Sequence, residues 1–122
     1  MLNELKSIGL RMATSKYRNK KTVCGGITFD SMAEAKRYEY LSLLERTGHI
    51  SDLTMQVEFE LIPKLKKEDG KHERAVKYKA DFAYTQDAKK IIEDVKGFIT
   101  KDYIIKRKLM LEKHSITIRE IK

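Results

Sequence analysis

Two segments that alternate apolar and polar residues constrain the fold more than any other feature of this sequence. Residues 52–65, DLTMQVEFELIPKL, place Met55, Val57, Phe59 and Leu61 on one side. Residues 73–84, ERAVKYKADFAY, repeat the pattern with Val76, Tyr78, Ala80, Phe82 and Tyr84. A period of two indicates half-buried strands, and the Asp-Gly pair in the intervening KKEDGK is a turn signal. The two segments are therefore predicted to form a hairpin, with Pro63 at a sheet edge or outside the ladder.

The rest of the chain supplies the other elements of an α/β domain. Residues 31–48, SMAEAKRYEYLSLLERTG, have helical spacing and a glycine stop. A turn around TQDAKK leads to the strand KIIEDVK, then to the basic helical segment TKDYIIKRKLMLEKH and a short strand SITIREI. This order, helix, three strands, helix, strand, predicts an α/β fold around a mixed sheet.

Length and cysteine content limit the class of protein. A chain of 122 residues fits one domain with one ordinary core. The lone Cys24 allows no internal disulfide, which favours a reducing, cytoplasmic setting. No apolar run approaches the roughly 18 residues of a membrane span, and the first residues do not read as a signal peptide. We expect a soluble protein that works without a membrane.

The charge balance favours a polyanionic partner. The 26 Lys and Arg against 18 Asp and Glu give a net charge of +8 and a pI near 9.5. The excess is strongest in residues 1–21, which suggests a basic N-terminal arm ahead of a domain at 22–122. Such an arm could follow phosphates, since neutralising them releases counterions. The alternative is a solvating tail that contacts nothing.

Two aspartates and a lysine occupy unusual positions on the predicted strands. Alternation places Ile92, Asp94 and Lys96 on one face of their strand. It separates Asp81 from the apolar set of the preceding strand. If these strands pair through the short turn at 85–89, the two carboxylates converge at the same end of the sheet.

Converging carboxylates need a proton or a cation between them. Oxygen ligands of this kind suit Mg²⁺, which accepts one or two carboxylates plus waters and substrate phosphate. Lys96 could then orient an attacking water or offset charge on the phosphoryl group. The alternative is a solvated cross-strand salt bridge, which contributes little.

Glu34 is a third acidic candidate with two possible roles. On a helical wheel it borders the apolar face beside Tyr38 and Leu41, from where it could add a carboxylate to the ion. The segment SMAE also reads as a capping box, with Ser31 as the cap. Both roles remain open at this point.

With these residues in place, the chain resembles the PD-(D/E)XK nucleases of the restriction-endonuclease-like superfamily, and within it a group of small phage proteins of unassigned function. The matching text is the region from SKYRNKK to FELIP, then YKADFAY, then EDVKGFITKDYIIKRKLM. The resemblance implies a restriction-endonuclease-like core with Asp81, Asp94, Glu34 and the Val95 carbonyl as metal ligands and Lys96 as the catalytic lysine. Ala80 stands where the superfamily motif often has proline.

The resemblance also implies an activity and partners. It predicts a Mg²⁺-dependent DNA endonuclease, with Mn²⁺ as a substitute, acting on branched or recombination DNA of a phage as Holliday-junction resolvases and transposon-end endonuclease subunits do. Cutting two strands would require a homodimer. The basic residues expected to contact DNA are Lys16, Arg18, Lys20, Lys21, Lys101, Lys106, Arg107 and Lys108.

Two other functions stay open at the level of sequence. A nucleic-acid-binding module without activity would use the same basic residues but has no need of acidic groups facing the phosphate. An interaction protein of phage replication or packaging would bind neither nucleic acid nor metal. The tyrosines are predicted to serve mostly in packing, and the scattered His49, His72 and His114 do not have zinc-ligand spacing.

Overall fold

The computed structural model describes residues 11–14, 20–24 and 26–122. The chain divides into two compact units, Met1–Leu53 and Thr54–Lys122. Each unit is described in its own right. Within the described ranges, none of the helices combines the length and apolar character needed to cross a membrane.

The first unit contains a three-stranded antiparallel sheet followed by a helix. Its elements are β1 (Arg11–Thr14), β2 (Lys20–Cys24), β3 (Ile27–Phe29) and α1 (Met32–Arg46). The helix predicted over residues 31–48 is confirmed. Ser31 is its N-cap, because the Ser31 hydroxyl accepts a hydrogen bond from the Glu34 N–H at 3.1 Å. Gly48 follows the helix with a φ of +81°, a conformation that glycine adopts without strain.

The sheet of the first unit was not predicted from the sequence. β2 pairs with β1 on one side and with β3 on the other. The predicted boundary at residue 21 falls inside β2, where Thr22 and Cys24 are fully buried. Residues 1–10, which make up about half of the predicted arm, lie outside the described residues.

The second unit is built on a mixed four-stranded sheet of order β4-β7-β8-β9. β7 and β8 are antiparallel, and β8 and β9 are parallel. The elements are β4 (Ser51–Ile62, which starts before the boundary), β5 (Leu65–Lys66), β6 (His72–Glu73), β7 (Val76–Gln86), β8 (Lys89–Val95), α2 (Lys101–His114) and β9 (Arg119–Ile121). The predicted order of helix, three strands, helix and strand is confirmed, with β5 and β6 added as a small ribbon between β4 and β7.

The turns follow their sequence signals. Gly70 has a φ of +84° in the Asp-Gly turn, and Pro63 lies directly after the last residue of β4, which is an edge strand. Between β7 and β8 only Asp87 and Ala88 form the loop, with φ angles of 51° and 65°. Positive φ at both positions is the geometry of a type I′ hairpin turn.

One face of the sheet packs against α2. Its core joins Tyr78, Ala80, Ala83 and Ile92 of the sheet to Tyr103 and Met110 of the helix. Thr100 caps this helix, since its hydroxyl accepts a hydrogen bond from the Tyr103 N–H at 3.1 Å. Tyr103, in the first turn of α2, lies 6.3 Å from Tyr78 between ring centres, so the start of α2 lies beside β7.

Candidate functional site

Asp81 and Asp94 lie on the adjacent strands β7 and β8, next to the last residues that the two strands pair. The register pairs Phe82 with Glu93, so the next positions along each strand are the two aspartates. The Asp81 carboxylate accepts a hydrogen bond from the N–H of Val95 at 2.8 Å. The structure thus brings these two sequence-predicted carboxylates together, as the hairpin required.

The alternation of β7 changes phase beside Asp81, which the sequence pattern did not predict. Tyr78 and Ala80 belong to the same buried cluster as Ala83, although an unbroken strand would place Ala83 on the opposite face. Ala83 therefore does not share the face of Lys77 and Lys79, as regular alternation along β7 would require. A change of this kind is what a β-bulge produces, and the Asp81 carboxylate bonds to the backbone of β8 at this point.

Lys96 forms an ion pair with Asp94. Its ammonium lies 3.3 Å from Oδ2 of Asp94, and the same oxygen accepts a hydrogen bond from the Tyr78 hydroxyl at 2.6 Å. The Asp94 side chain is 5% exposed and that of Lys96 is 25% exposed. The pair is therefore not the solvated surface bridge that was the alternative expectation, because one partner is enclosed by protein.

A second layer of side chains supports Lys96. Its ammonium stands 4.1 Å from the centre of the Tyr103 ring, which is the geometry of a cation–π contact. The Tyr103 hydroxyl donates to Glu120 at 2.6 Å, and Arg107 donates to the same Glu120 oxygen at 2.8 Å. Glu120 is the register partner of Asp94 on the parallel strand β9. The site therefore extends from β7 through β8 to β9 and α2.

These contacts shift the protonation equilibria in consistent directions. Burial, followed by the hydrogen bond to Asp94, raises the pKa of the Tyr78 phenol. Burial and the hydrogen bond to Glu120 likewise raise the pKa of Tyr103. Hydrogen bonds from Tyr103 and then Arg107 lower the pKa of Glu120. Both phenols therefore stay protonated at neutral pH and act as hydrogen-bond donors.

The donor set suits a hard cation, although it is small. Asp81 and Asp94 offer carboxylate oxygens, the ligand type of Mg²⁺, which keeps several waters and needs only one or two carboxylates. Within the described part of the chain, no group of three or more His, Cys, Asp or Glu is placed to hold a metal ion. The Val95 carbonyl stays a predicted ligand, since the contact described for Val95 uses its N–H.

Glu34 lies in the first turn of α1, within the first unit. Its N–H donates to the Ser31 hydroxyl, so Ser31 is confirmed as the helix cap, whereas the return bond from the Glu34 side chain that would complete a capping box stays a prediction. Its side chain is half-buried. The role of Glu34 as a metal ligand stays a prediction.

The predicted DNA-binding residues occupy different environments. Lys21, Lys101 and Lys108 are exposed, and Lys106 and Arg107 are half-buried. Arg107 forms an ion pair with Glu120 of β9. Its guanidinium therefore contacts the site itself, in addition to any contact that it makes with DNA. The remaining members, Lys16, Arg18 and the side chain of Lys20, lie outside the description.

Three members of this site were not assigned a role from the sequence. Tyr78 and Tyr103 were interpreted as packing residues, and they do pack, but their hydroxyls also bind the carboxylates. Glu120 carried a usable signal. It continues the alternation of Ile116 and Ile118, so a charged residue stands on an apolar stripe of the last strand.

The opposite face of β8 carries a separate polar contact. Glu93 is fully buried and accepts a hydrogen bond from the Tyr84 hydroxyl. Arg119 donates to the same hydroxyl at 3.1 Å. Adjacent acidic residues of one strand thus serve two different networks.

Comparisons with known proteins give one match. Residues 14–122 match a family described as "Protein of unknown function (DUF1064)". Neither the curated proteins nor the solved structures contain a match. Because the match spans the described site and nearly the whole chain, this protein belongs to the DUF1064 family.

Proposed function

We propose that this protein is a Mg²⁺-dependent DNA endonuclease with a restriction-endonuclease-like core, and that it hydrolyses phosphodiester bonds in branched or recombination DNA of a phage. One observation supports the proposal above the others. Asp81 and Asp94 meet on adjacent strands, with the Lys96 ammonium 3.3 Å from Asp94 and a tyrosine ring beneath it. A lysine fixed beside paired carboxylates suits phosphoryl chemistry better than it suits simple anion binding.

Each residue has a defined task in this proposal. Asp81 and Asp94 would hold Mg²⁺, which when bound supplies charge neutralisation for the phosphate and a more acidic water. Lys96 carries a fixed positive charge that can orient water or stabilise negative charge on a phosphate oxygen. Tyr103 and Glu120 hold Lys96 and the start of α2 in place. Glu34 and the Val95 carbonyl remain proposed further ligands.

The proposal extends to assembly and location. A single site of this size cuts one strand at a time, so a homodimer would be needed to cut two strands. The resemblance and the lone Cys24 support action in the cytoplasm of a phage-bearing bacterial host.

A nucleic-acid-binding module without activity is the second candidate. The observation that favours it is the state of Asp94, whose side chain is 5% exposed and already in contact with Tyr78 and Lys96. Such a carboxylate could be a structural member of the fold. The two candidates differ in what Mg²⁺ does to bound DNA.

The test is cleavage of four labelled DNAs, a four-way junction, a flap, a duplex and a single strand, with Mg²⁺, Mn²⁺ or EDTA. The proposal predicts metal-dependent cutting of at least one substrate. Asp94→Asn and Lys96→Ala should each abolish cutting while DNA binding is kept. Binding without cutting in either metal would favour the module, and the absence of both would direct attention to protein partners.

A further inference from the structure

A basic cavity lies at the start of β7, and neither Asp81 nor Asp94 lines it. Its volume is about 490 Å³. The residues that line it are Lys64, His72, Glu73, Arg74, Ala75 and Lys77. They come from the ribbon formed by β5 and β6 and from the residues on either side of it. None of them belongs to the site proposed for catalysis.

The charges of this cavity are not compensated. Among the residues that the structure describes, no carboxylate lies within 4.0 Å of Lys64, Arg74 or Lys77. The carboxylate in its lining, Glu73, is paired with Lys67 at 3.7 Å. Three cations therefore line a concavity whose carboxylate, Glu73, is already paired with Lys67.

The ribbon that carries these cations is ordered by its own hydrogen bonds. The backbone N–H of Lys67 donates to the Lys71 carbonyl at 2.7 Å, and the N–H of Gly70 donates to the Lys67 carbonyl at 3.0 Å. The N–H of Lys71 donates to the Asp69 carboxylate at 2.9 Å. A closed turn lowers the conformational entropy that the ribbon would lose on binding a ligand.

The basic surface continues along β7. Lys77 and Lys79 are exposed, whereas Tyr78 and Ala80 between and beside them are buried. Side chains two residues apart on one strand face are separated by about 6.8 Å. The two lysines thus extend the basic surface of the cavity along β7.

We propose that this cavity binds the phosphodiester backbone of a nucleic acid, with Lys64, Arg74 and Lys77 as the contacts. The planar guanidinium of Arg74 suits a phosphate held by two hydrogen bonds, and the lysines add point charges beside it. Phosphate contacts of this kind position a nucleic acid without reading its sequence. The inference goes beyond the proposed cleavage reaction and holds equally for a module without activity.

The test measures binding in EDTA, so that no metal-dependent step contributes. Labelled 20-base-pair DNA and RNA duplexes are titrated with the full chain, and fluorescence anisotropy is followed at several KCl concentrations. The variant is Arg74→Ala with Lys77→Ala. Its matched control is Lys89→Ala with Lys90→Ala, which removes the same charge from two exposed residues at the start of β8, next to the hairpin turn that follows β7. Thermal melting verifies that both variants are folded.

The proposal predicts that the cavity variant lowers the slope of log K against log salt by about 2, and the affinity at 0.1 M salt by about 50-fold. The control should keep the native slope and an affinity within about threefold. The tighter of the two duplex arms identifies the natural class of nucleic acid.

Three results would overturn the inference. They are native protein that binds neither duplex, a cavity variant that binds like the native protein, and a control that loses as much as the cavity variant. Lys64→Ala with Arg74→Ala provides a second cavity variant if the first is unfolded. Loss of binding in this experiment is separate from loss of cleavage, since Asp94→Asn leaves all cavity residues unchanged.

Discussion

Asp94 and Glu93 are neighbours on β8, yet their side chains meet opposite environments on the two faces of the sheet. Glu93 is fully buried in contact with Tyr84, next to Arg119. Asp94 contacts Lys96, a residue with a quarter of its side chain exposed. The difference teaches that burial alone does not mark a functional carboxylate. What distinguishes Asp94 is a second carboxylate, that of Asp81, on the adjacent strand.

The largest effect on stability should follow substitution on the Glu93 side. Glu93→Gln should lower the free energy of unfolding by about 3 kcal/mol, because it puts an amide NH2 group, which needs acceptors, into a fully buried position where a carboxylate oxygen accepts from Tyr84. Asp94→Asn should cost less than about 1 kcal/mol, since the amide oxygen still accepts from Tyr78 and Lys96 retains solvent. Urea denaturation of both variants measures the two values. Equal losses would erase the distinction between the two faces.

Tyr103 tests the support of Lys96. Tyr103→Phe should lower the free energy of unfolding by about 1 kcal/mol, because one hydrogen bond to Glu120 is lost while the ring remains. Tyr103→Leu should cost about 2 kcal/mol of unfolding free energy and also lower the single-turnover rate constant of cleavage by about tenfold, since Lys96 loses the ring beneath it. Urea denaturation and single-turnover cleavage are the measurements. A Phe variant as slow as the Leu variant would show that the ring does not position Lys96.

Glu120 should govern part of the acid sensitivity of the Asp94 face. Its pKa in the folded protein is lower than its ordinary value of 4.5, because Tyr103 and Arg107 donate hydrogen bonds to it. Ionised Glu120 therefore stabilises the fold above about pH 4.5, and this contribution is lost as the pH falls below that value through the lowered pKa. Glu120→Gln should flatten the dependence of stability on pH in this window. Denaturation at pH 3, 4, 5 and 7 tests this, and an unchanged slope would contradict it.

The smallest effect on the free energy of unfolding is expected in the turn that joins β7 and β8. Ala88 has a φ of 65°, which disfavours any residue with a Cβ atom. Ala88→Gly should raise the free energy of unfolding by about 0.5 kcal/mol without changing either polar network. Ala33→Gly on the exposed side of α1 should lower it by about 1 kcal/mol and serves as the control of opposite sign. Urea midpoints measure both.

The sequence predicted the elements of the second unit because its strands and turns carry strong local signals. The Asp-Gly turn and the strand alternation depend on residues close in the chain, as does the Ser31 cap predicted for α1 in the first unit. Local signals were also sufficient to predict that Asp81 and Asp94 lie close together, since both residues belong to one hairpin with a short turn.

The rest depended on contacts between distant residues. The register of β9 against β8 places Glu120 beside Asp94, and the sequence contains no turn that could predict this parallel pairing. The change in the alternation of β7 beside Asp81 could likewise not be predicted, because β7 contains no glycine or proline. The short strands β1–β3 lack the length that makes alternation recognisable. Tertiary packing, and not local propensity, decides all three features.

The most direct test of the proposal that Asp94 is catalytic compares substitutions of Asp94 and of its neighbour Glu93 in the same cleavage reaction. Single-turnover cleavage of the best DNA substrate in Mg²⁺ should fall by at least about 10³-fold in Asp94→Asn. Glu93→Gln, assayed at a temperature where it is fully folded, should retain activity within about fivefold. Equal rates for Asp94→Asn and the native protein would contradict the assignment of catalysis to the Asp94 face.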